Sequence, residues 1–270
     1  MLNLKRVIGL AVTAALFVGM PVQANEVIKL ATTTSTENSG LLKNLLPTFE
    51  AESGYKVQVI ATGTGKALKL ARQGDVDVVM THAPAAEAKF VAEGYGRLPR
   101  GIMENDFVIL GPKNDPAKIR PSDSAEAAFA KIAKSGAPFI SRGDNSGTNM
   151  KELILWNKAD VKPDFAGYTS VGQGMGKTLL MANELQGYTL SDRGTFVAYS
   201  GKIDLAVDFD GGKALANPYQ IMLINAEKYP DLNHKGAKAL SDWLISAEAQ
   251  GMINNYKVQG EQLFKATYSE

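Results

Sequence analysis

From Val27 onward, short apolar runs alternate with longer amphipathic stretches, and the order repeats. Val27-Ile28-Lys29-Leu30-Ala31 reads as a buried strand. It runs into Thr32-Thr33-Thr34-Ser35-Thr36-Glu37-Asn38-Ser39-Gly40, after which Leu41, Leu42, Leu45, Leu46 and Phe49 recur at helical spacing. The threonine run is a poor helix former, but its hydroxyls suit N-capping and oxygen-ligand binding. Tyr55–Ile60 alternates as a second strand and ends in Ala61-Thr62-Gly63-Thr64-Gly65, before a helix carrying Ala67, Leu68 and Ala71. Asp75–Met80 is a third strand, ending at Thr81-His82-Ala83-Pro84 before a helix over Ala85–Val91. Asp106–Leu110 is a fourth. Repeated strand–loop–helix units predict an α/β fold with a doubly wound, mostly parallel sheet. Ligands then bind beyond the C-terminal ends of the strands, where Thr34, Ser35, Thr64 and His82 fall.

The texture changes at Gly111-Pro112-Lys113-Asn114-Asp115-Pro116, a plausible crossing into a second lobe. Beyond it come a helix over Ser124–Ser135, then Phe139-Ile140-Ser141-Arg142-Gly143-Asp144-Asn145-Ser146-Gly147-Thr148 and a helix from about Asn149. Gly172-Gln173-Gly174-Met175-Gly176 opens another helix. Tyr188–Thr195 reads as a strand and a capped helix, and Leu205–Val207 as a short strand. Asn217–Ile224 returns to the first lobe, which helices carrying Ala237, Leu240, Trp243, Leu244 and Ile253 would close.

The stretch Phe139–Asn149 is the strongest candidate for chemistry. A strand, a tight turn and a helix N-terminus bring unpaired backbone N–H groups and the positive end of a helix dipole to one point. Arg142 adds a fixed fork of charged donors. Ser141, Ser146 and Thr148 add hydroxyls, and Asp144 is placed to hold the guanidinium. This loop is expected to form half of a cage for a small tetrahedral oxyanion.

Composition narrows the classes. The 270 residues are 45% hydrophobic, with a net charge of +1. Basic residues are scattered and not interleaved with aromatics, which speaks against nucleic acid. Lys5 and Arg6, the apolar run Val7–Met20 and the small-residue site Pro21-Val22-Gln23-Ala24 predict an export signal over residues 1–24. The run is shorter than the roughly 20 residues a membrane span needs. The chain has no cysteine, hence no disulfide, no thiolate chemistry and no lipid-anchor cysteine after the cleavage site. A free periplasmic protein is expected. No His, Asp and Glu cluster has the spacing of a metal-cation site, and no cofactor is implied.

Enzyme readings are weaker. Gly176-Lys177-Thr178 lacks the glycine five residues upstream that a phosphate-binding P-loop requires, since position 171 is Val. A secreted serine hydrolase would use Ser146 with His82 or His234 as base. His234 lies in a polar stretch and reads as a surface residue.

At these residues the chain resembles the periplasmic tungstate-binding proteins of ABC importers, a family of two-lobed type II solute-binding proteins. The matching segments are Thr32–Thr36 with Ser39–Leu42, Ala61–Gly65, His82 with Pro84–Glu87, Asn105–Val108, Ser141–Thr148, Gly172–Gly176 and Leu190–Thr195. They keep their order through the mature chain. The resemblance implies lobe I from residues 25–109 plus 221–270 and lobe II from 110–220, each a doubly wound, mostly parallel sheet flanked by helices. Two crossovers would act as hinges, at about Val108–Gly111 and Tyr219–Met222. It implies capture of tungstate without catalysis, delivery to a membrane permease, and a monomer. Arg142 would be the charged clamp. Thr34, Ser35, Thr64, Ser146 and Thr148 would donate hydroxyl or backbone hydrogen bonds, with the Gly147 N–H. Thr33, Thr36, Ser141 and the backbone of Gly174 and Met175 form a second tier, in which Asp144 would orient Arg142. His82 stands where the related phosphate receptors have an aspartate that accepts the proton of hydrogen phosphate. Tungstate and molybdate carry no proton at neutral pH, so a cage of donors suits them. Molybdate or phosphate is the alternative ligand, and whether His82 touches the anion or supports the loop stays open.

Overall fold

The computed structural model describes residues 26–268. The expected export signal lies outside them. In chain order the main elements are β1 (Val27–Thr33), α1 (Thr34–Asn38), α2 (Leu41–Ser53), β2 (Lys56–Thr62), α3 (Thr64–Gln73), β3 (Val78–Thr81), α4 (Pro84–Ala92) and β4 (Gly96–Pro112). Then follow α5 (Ala125–Ser135), β5 (Phe139–Ser141), α6 (Gly147–Lys158), β6 (Tyr168–Ser170), α7 (Met175–Glu184), β7 (Thr189–Asp192), α8 (Arg193–Tyr199), β8 (Leu205–Phe209), β9 (Ala216–Ile224), α9 (His234–Leu244) and α10 (Ala247–Asn255).

The strands make two sheets that share β4. In the first the order is β2-β1-β3-β9-β4, with β1 parallel to β2 and β3, and β9 antiparallel to both β3 and β4. Four strands therefore run one way and β9 the other. In the second, β4 lies antiparallel between β7 and β8. A parallel bridge from Tyr188 to Phe139 carries the order on to β5, which pairs parallel with β6. A short edge strand, Lys265–Ala266, pairs antiparallel with β4 in the first sheet, and β4 alone pairs in both sheets. β4 pairs with β9 up to Asp106 and with β7 from Phe107. The exchange of partners therefore falls just before the expected Val108–Gly111.

Period-two alternation explains the layers. Ile28, Leu30, Val78 and Met80 face a core with Leu41, Leu45 and Phe49 of α2 and Leu240 of α9. Ala31 and Val79 face the opposite core, against Ala67 and Leu68 of α3 and Phe90 of α4. In β4, Phe107 and Ile109 pack on Phe129 and Trp156, while Val108 and Leu110 pack on Met175 and Leu179. Burying four such faces, at about 25 cal/mol per Å2 of apolar area, is the main driving force. Among the described residues no helix is long and apolar enough to cross a membrane.

Three local expectations are revised. The threonine run is not a loop throughout. Thr34–Asn38 winds into one helical turn because Thr33 caps it, its hydroxyl accepting from the Thr36 N–H at 3.3 Å, while Ser39 Oγ donates to the Thr36 carbonyl at 2.7 Å. The helix expected from Asn149 begins at Gly147, capped by Ser146, whose hydroxyl accepts from the Asn149 N–H at 3.2 Å. β4 is far longer than Asp106–Leu110, extending back to Gly96 through two register shifts.

Candidate functional site

Every candidate loop follows the C-terminal end of a strand: Thr34 and Ser35 after β1, Thr64 after β2, His82 after β3, and Arg142 after β5. Parallel strands whose ends lie together, each feeding a helix start, produce this convergence.

The loop after β5 holds its shape internally. Gly143 and Asn145 both have positive φ, 59° and 58°. A Cβ on Gly143 would overlap the Ser170 side chain, so glycine is required there. Arg142 is 3% exposed and donates through Nη2 to Asp144 Oδ2 at 2.6 Å. Asp144 Oδ1 accepts from the Ser146 N–H at 3.2 Å. The expected clamp of Asp144 on Arg142 is therefore present. Arg142 Nε is buried without a protein partner. So are the hydroxyls of Thr64 and Thr148. A buried unpaired donor costs about 1–3 kcal/mol, more when charged. These three donors belong to two loops, Thr64 to the one after β2 and Arg142 and Thr148 to the one after β5.

The two sides of the cage touch. A Cβ built on Gly147 would lie 2.7 Å from His82 Cε1 and 3.0 Å from Thr64 Oγ1. One on Gly63 would lie 3.8 Å from the Ser146 Cα, and one on Gly65 2.7 Å from Asn145 Nδ2. Loops far apart in the sequence thus meet at Thr64, His82 and Gly147.

The hydroxyl-rich turn contributes a chain rather than separate donors. Thr33 Oγ1 lies 2.7 Å from Thr36 Oγ1 and 3.2 Å from Ser35 Oγ, which lies 3.3 Å from His82 Nε2. Thr34 is half-buried. His82 is 3% exposed, stacked on Tyr219 at 4.7 Å between ring centroids, with Nδ1 2.8 Å from Asn217 Oδ1. Burial pushes its pKa down to about 4, against the hydrogen bond to Asn217, and the Arg142 and Lys151 charges push the same way as burial. The imidazole is neutral at physiological pH.

Other expected members stand further back. Ser141 Oγ donates to Glu152 Oε2 at 2.6 Å and accepts from Asn149 Nδ2 at 3.4 Å, so its hydroxyl is committed inside the domain. Glu152 also accepts from Trp156 Nε1 and Tyr168 Oη. Burial raises its pKa, against these hydrogen bonds. Met175 places its side chain in an apolar cluster with Val108 and Ile140, and Gly174 is exposed at the start of α7. The Gln173 N–H, 3.2 Å from the Arg142 carbonyl, ties that loop to the arginine's backbone.

Sequence reasoning missed Thr32, whose buried hydroxyl is unpartnered, and the Asn105–Asn217–Tyr219 group behind His82. It also missed Asp192 as a neighbour of the arginine. Burial raises the pKa of that carboxyl, opposed by hydrogen bonds from Thr195 and by the Arg142 charge. Both its oxygens are occupied by Thr195. Thr32 carried a signal as part of the threonine run, and Asn105 and Asp192 lie in segments that resemble the family, but none was assigned to the site. Among the described residues no group of three His, Asp or Glu could hold a metal cation.

The PBP superfamily domain matches residues 21–248. A tungstate-binding protein TupA from Peptoclostridium acidaminophilum is 43% identical over 87% of this chain and 82% of its own. A putative ABC transporter anion-binding protein from Haloferax volcanii is 48% identical over 88% of this chain and 71% of its own. The crystal structure of the tungstate ABC transporter from Geobacter sulfurreducens superposes with a TM-score of 0.79 at 50% identity, covering 86% of this chain and 99% of that one. The chain belongs to the PBP superfamily and, within it, to the family of tungstate-binding proteins of ABC transporters.

Proposed function

We propose that this chain is a periplasmic receptor that captures tungstate between its two lobes and delivers it to the permease of an ABC importer. The observation that carries the reading is a set of three buried, unpartnered donors, Thr64 Oγ1, Arg142 Nε and Thr148 Oγ1, on two loops that meet where Gly147 approaches Thr64 and His82. Ser35, Ser146, the Gly147 N–H and Thr34 complete the proposed cage.

Charge supports a proton-free dianion. Arg142 is already paired with Asp144, so the cage is close to neutral before the ligand enters. The two carboxylates whose charge reaches Arg142 are both committed, Asp144 to Arg142 and Ser146, and Asp192 to Thr195. A protonated anion such as hydrogen phosphate would find no uncommitted carboxylate there. Neutral dipoles hold a dianion with less attraction than several lysines would, which suits a receptor that must also release it.

The lobes are proposed as residues 25–109 plus 221–270 and residues 110–220, moving about the paired strands β4 and β9. The exchange of β4 partners at Asp106–Phe107 supports a pivot at that level. An export signal over 1–24, a periplasmic location, a monomer and a purely binding role belong to the same reading. Calorimetric titration with tungstate, then competition by molybdate and phosphate on the same sample, tests it. Tungstate is expected to bind and to resist displacement by excess phosphate. Ready displacement by phosphate would transfer the assignment to that anion.

A further inference from the structure

Polar side chains form one hydrogen-bonded file from the hydroxyl-rich turn to the β4–β9 strand pair. It runs Thr36, Thr33, Ser35, His82, Asn217, Asn105. Its separations are 2.7, 3.2, 3.3 and 2.8 Å as far as the Asn217 amide, and then 2.6 Å from Asn217 Nδ2 to Asn105 Oδ1. All members but the half-buried Asn105 are buried. Asn105 and Asn217 sit opposite each other where β4 pairs with β9.

Such a file has two polarities. A hydroxyl donates or accepts, an amide can be turned end for end, and a neutral imidazole carries its proton on either nitrogen. The direction chosen at one member propagates to the rest. In the first polarity Asn217 Oδ1 accepts from His82 Nδ1–H. His82 Nε2 is then bare and takes the Ser35 proton, so Ser35 is left with lone pairs to offer. Asn105 Nδ2 is then buried without an acceptor. In the second polarity Asn105 Nδ2 donates to Asn217 Oδ1, and Asn217 Nδ2 donates to His82 Nδ1. His82 Nε2–H donates to Ser35, whose own proton is released. Tyr219 Oη, 3.2 Å from the Asn217 amide, serves either case because it can donate or accept.

We propose that a proton-free oxyanion selects the second polarity, so that Asn105 and Asn217 act through His82 as positioning residues that make Ser35 a donor. This rests on the receptor reading above. The physical reason is that tungstate offers acceptors alone, whereas hydrogen phosphate must also place one proton on an acceptor. The second polarity serves the former and the first polarity the latter. The file thereby sets a preference between oxyanions with and without a proton.

The chain has only two histidines, which makes the test direct. Nitrogen NMR of protein carrying 15N-labelled histidine reports each ring's tautomer, and a His234→Gln sample assigns the signals. Tungstate-loaded protein should show His82 protonated at Nε2. Asn105→Asp supplies an end group that only accepts, which holds the file in the first polarity. Its ratio of tungstate to phosphate affinity should fall by roughly ten- to a hundred-fold, with His82 protonated at Nδ1. The added charge repels both dianions, so the ratio isolates the polarity. Asn105→Ala, which forces neither direction, should keep the ratio within a few-fold. Tungstate-loaded wild type with His82 protonated at Nδ1, or an unchanged ratio in Asn105→Asp, overturns this proposal alone. Absence of any tungstate binding to the wild type overturns the receptor reading and this one with it.

Discussion

Replacing Gly147 by alanine should impair binding while leaving the fold intact. Gly147 is the first residue of α6 and lacks positive φ, so alanine is acceptable to the backbone and slightly favoured by helix propensity. The obstacle is steric and comes from the other side of the cage. The new Cβ would lie 2.7 Å from His82 Cε1 and 3.0 Å from both His82 Nδ1 and Thr64 Oγ1. His82 has little room to yield, because Tyr219 stacks on it and Asn217 holds Nδ1 at 2.8 Å. Overpacking of this kind costs about 1–3 kcal/mol, or roughly 5- to 150-fold in Kd. Gly65→Ala is the matched control. Its Cβ would also approach within 2.7 Å, but of Asn145 Nδ2, the end of a side chain that can swing aside, so its cost should be smaller. Calorimetry with tungstate measures both, and thermal unfolding without ligand checks that each variant folds. Wild-type affinity in Gly147→Ala would refute the reasoning, because the two sides would then not meet at this point when the anion is held.

Further outcomes follow from the same geometry. Arg142→Ala should weaken tungstate binding by about 2–5 kcal/mol, since a charged donor in a closed cleft is lost and Asp144 is left unpaired; calorimetry reads it. Glu152→Leu strands the Ser141, Trp156 and Tyr168 donors and should lower stability by about 2–4 kcal/mol in denaturant unfolding. Because burial depresses the His82 pKa to about 4, its contribution to stability is fully present above the ordinary histidine value near 6.5. It is lost as pH falls through about 4, since the unfolded chain takes up the proton first. A His82→Gln variant should show a flatter loss of stability between those pH values than the wild type, measured by thermal unfolding.

Much of this was legible in the chain itself, for physical reasons. β3 is buried on both faces, as is β1 from Leu30 to Thr33, so their apolar runs carry an unambiguous signal. The turn at Gly143–Asn145 was legible because positive φ and a tight approach to Ser170 demand the residues found there. The first half of β4 was not, because Leu98, Pro99 and Gly101 lie outside any strand-like alternation and the register shifts around them. β6 is three residues of half-buried and exposed positions with no periodicity to detect. The neighbours of His82 were hidden for a different reason. Asn105 and Asn217 stand 112 positions apart and meet only through strand pairing, and a lone asparagine carries no local pattern. Ser141, expected in the second tier, shows that sequence places a hydroxyl in a loop without saying which way it turns. Here Glu152, one helix away, claims it.

The central claim is that one proton-free tetrahedral oxyanion is held between the loops after β2 and β5. The most direct measurement is a crystal structure of tungstate-loaded protein with the tungsten located by its anomalous scattering. The account predicts a single peak within hydrogen-bonding reach of Thr64 Oγ1, Arg142 Nε and Thr148 Oγ1. A peak elsewhere on the surface, or an empty cage with Arg142 turned to solvent, would contradict it.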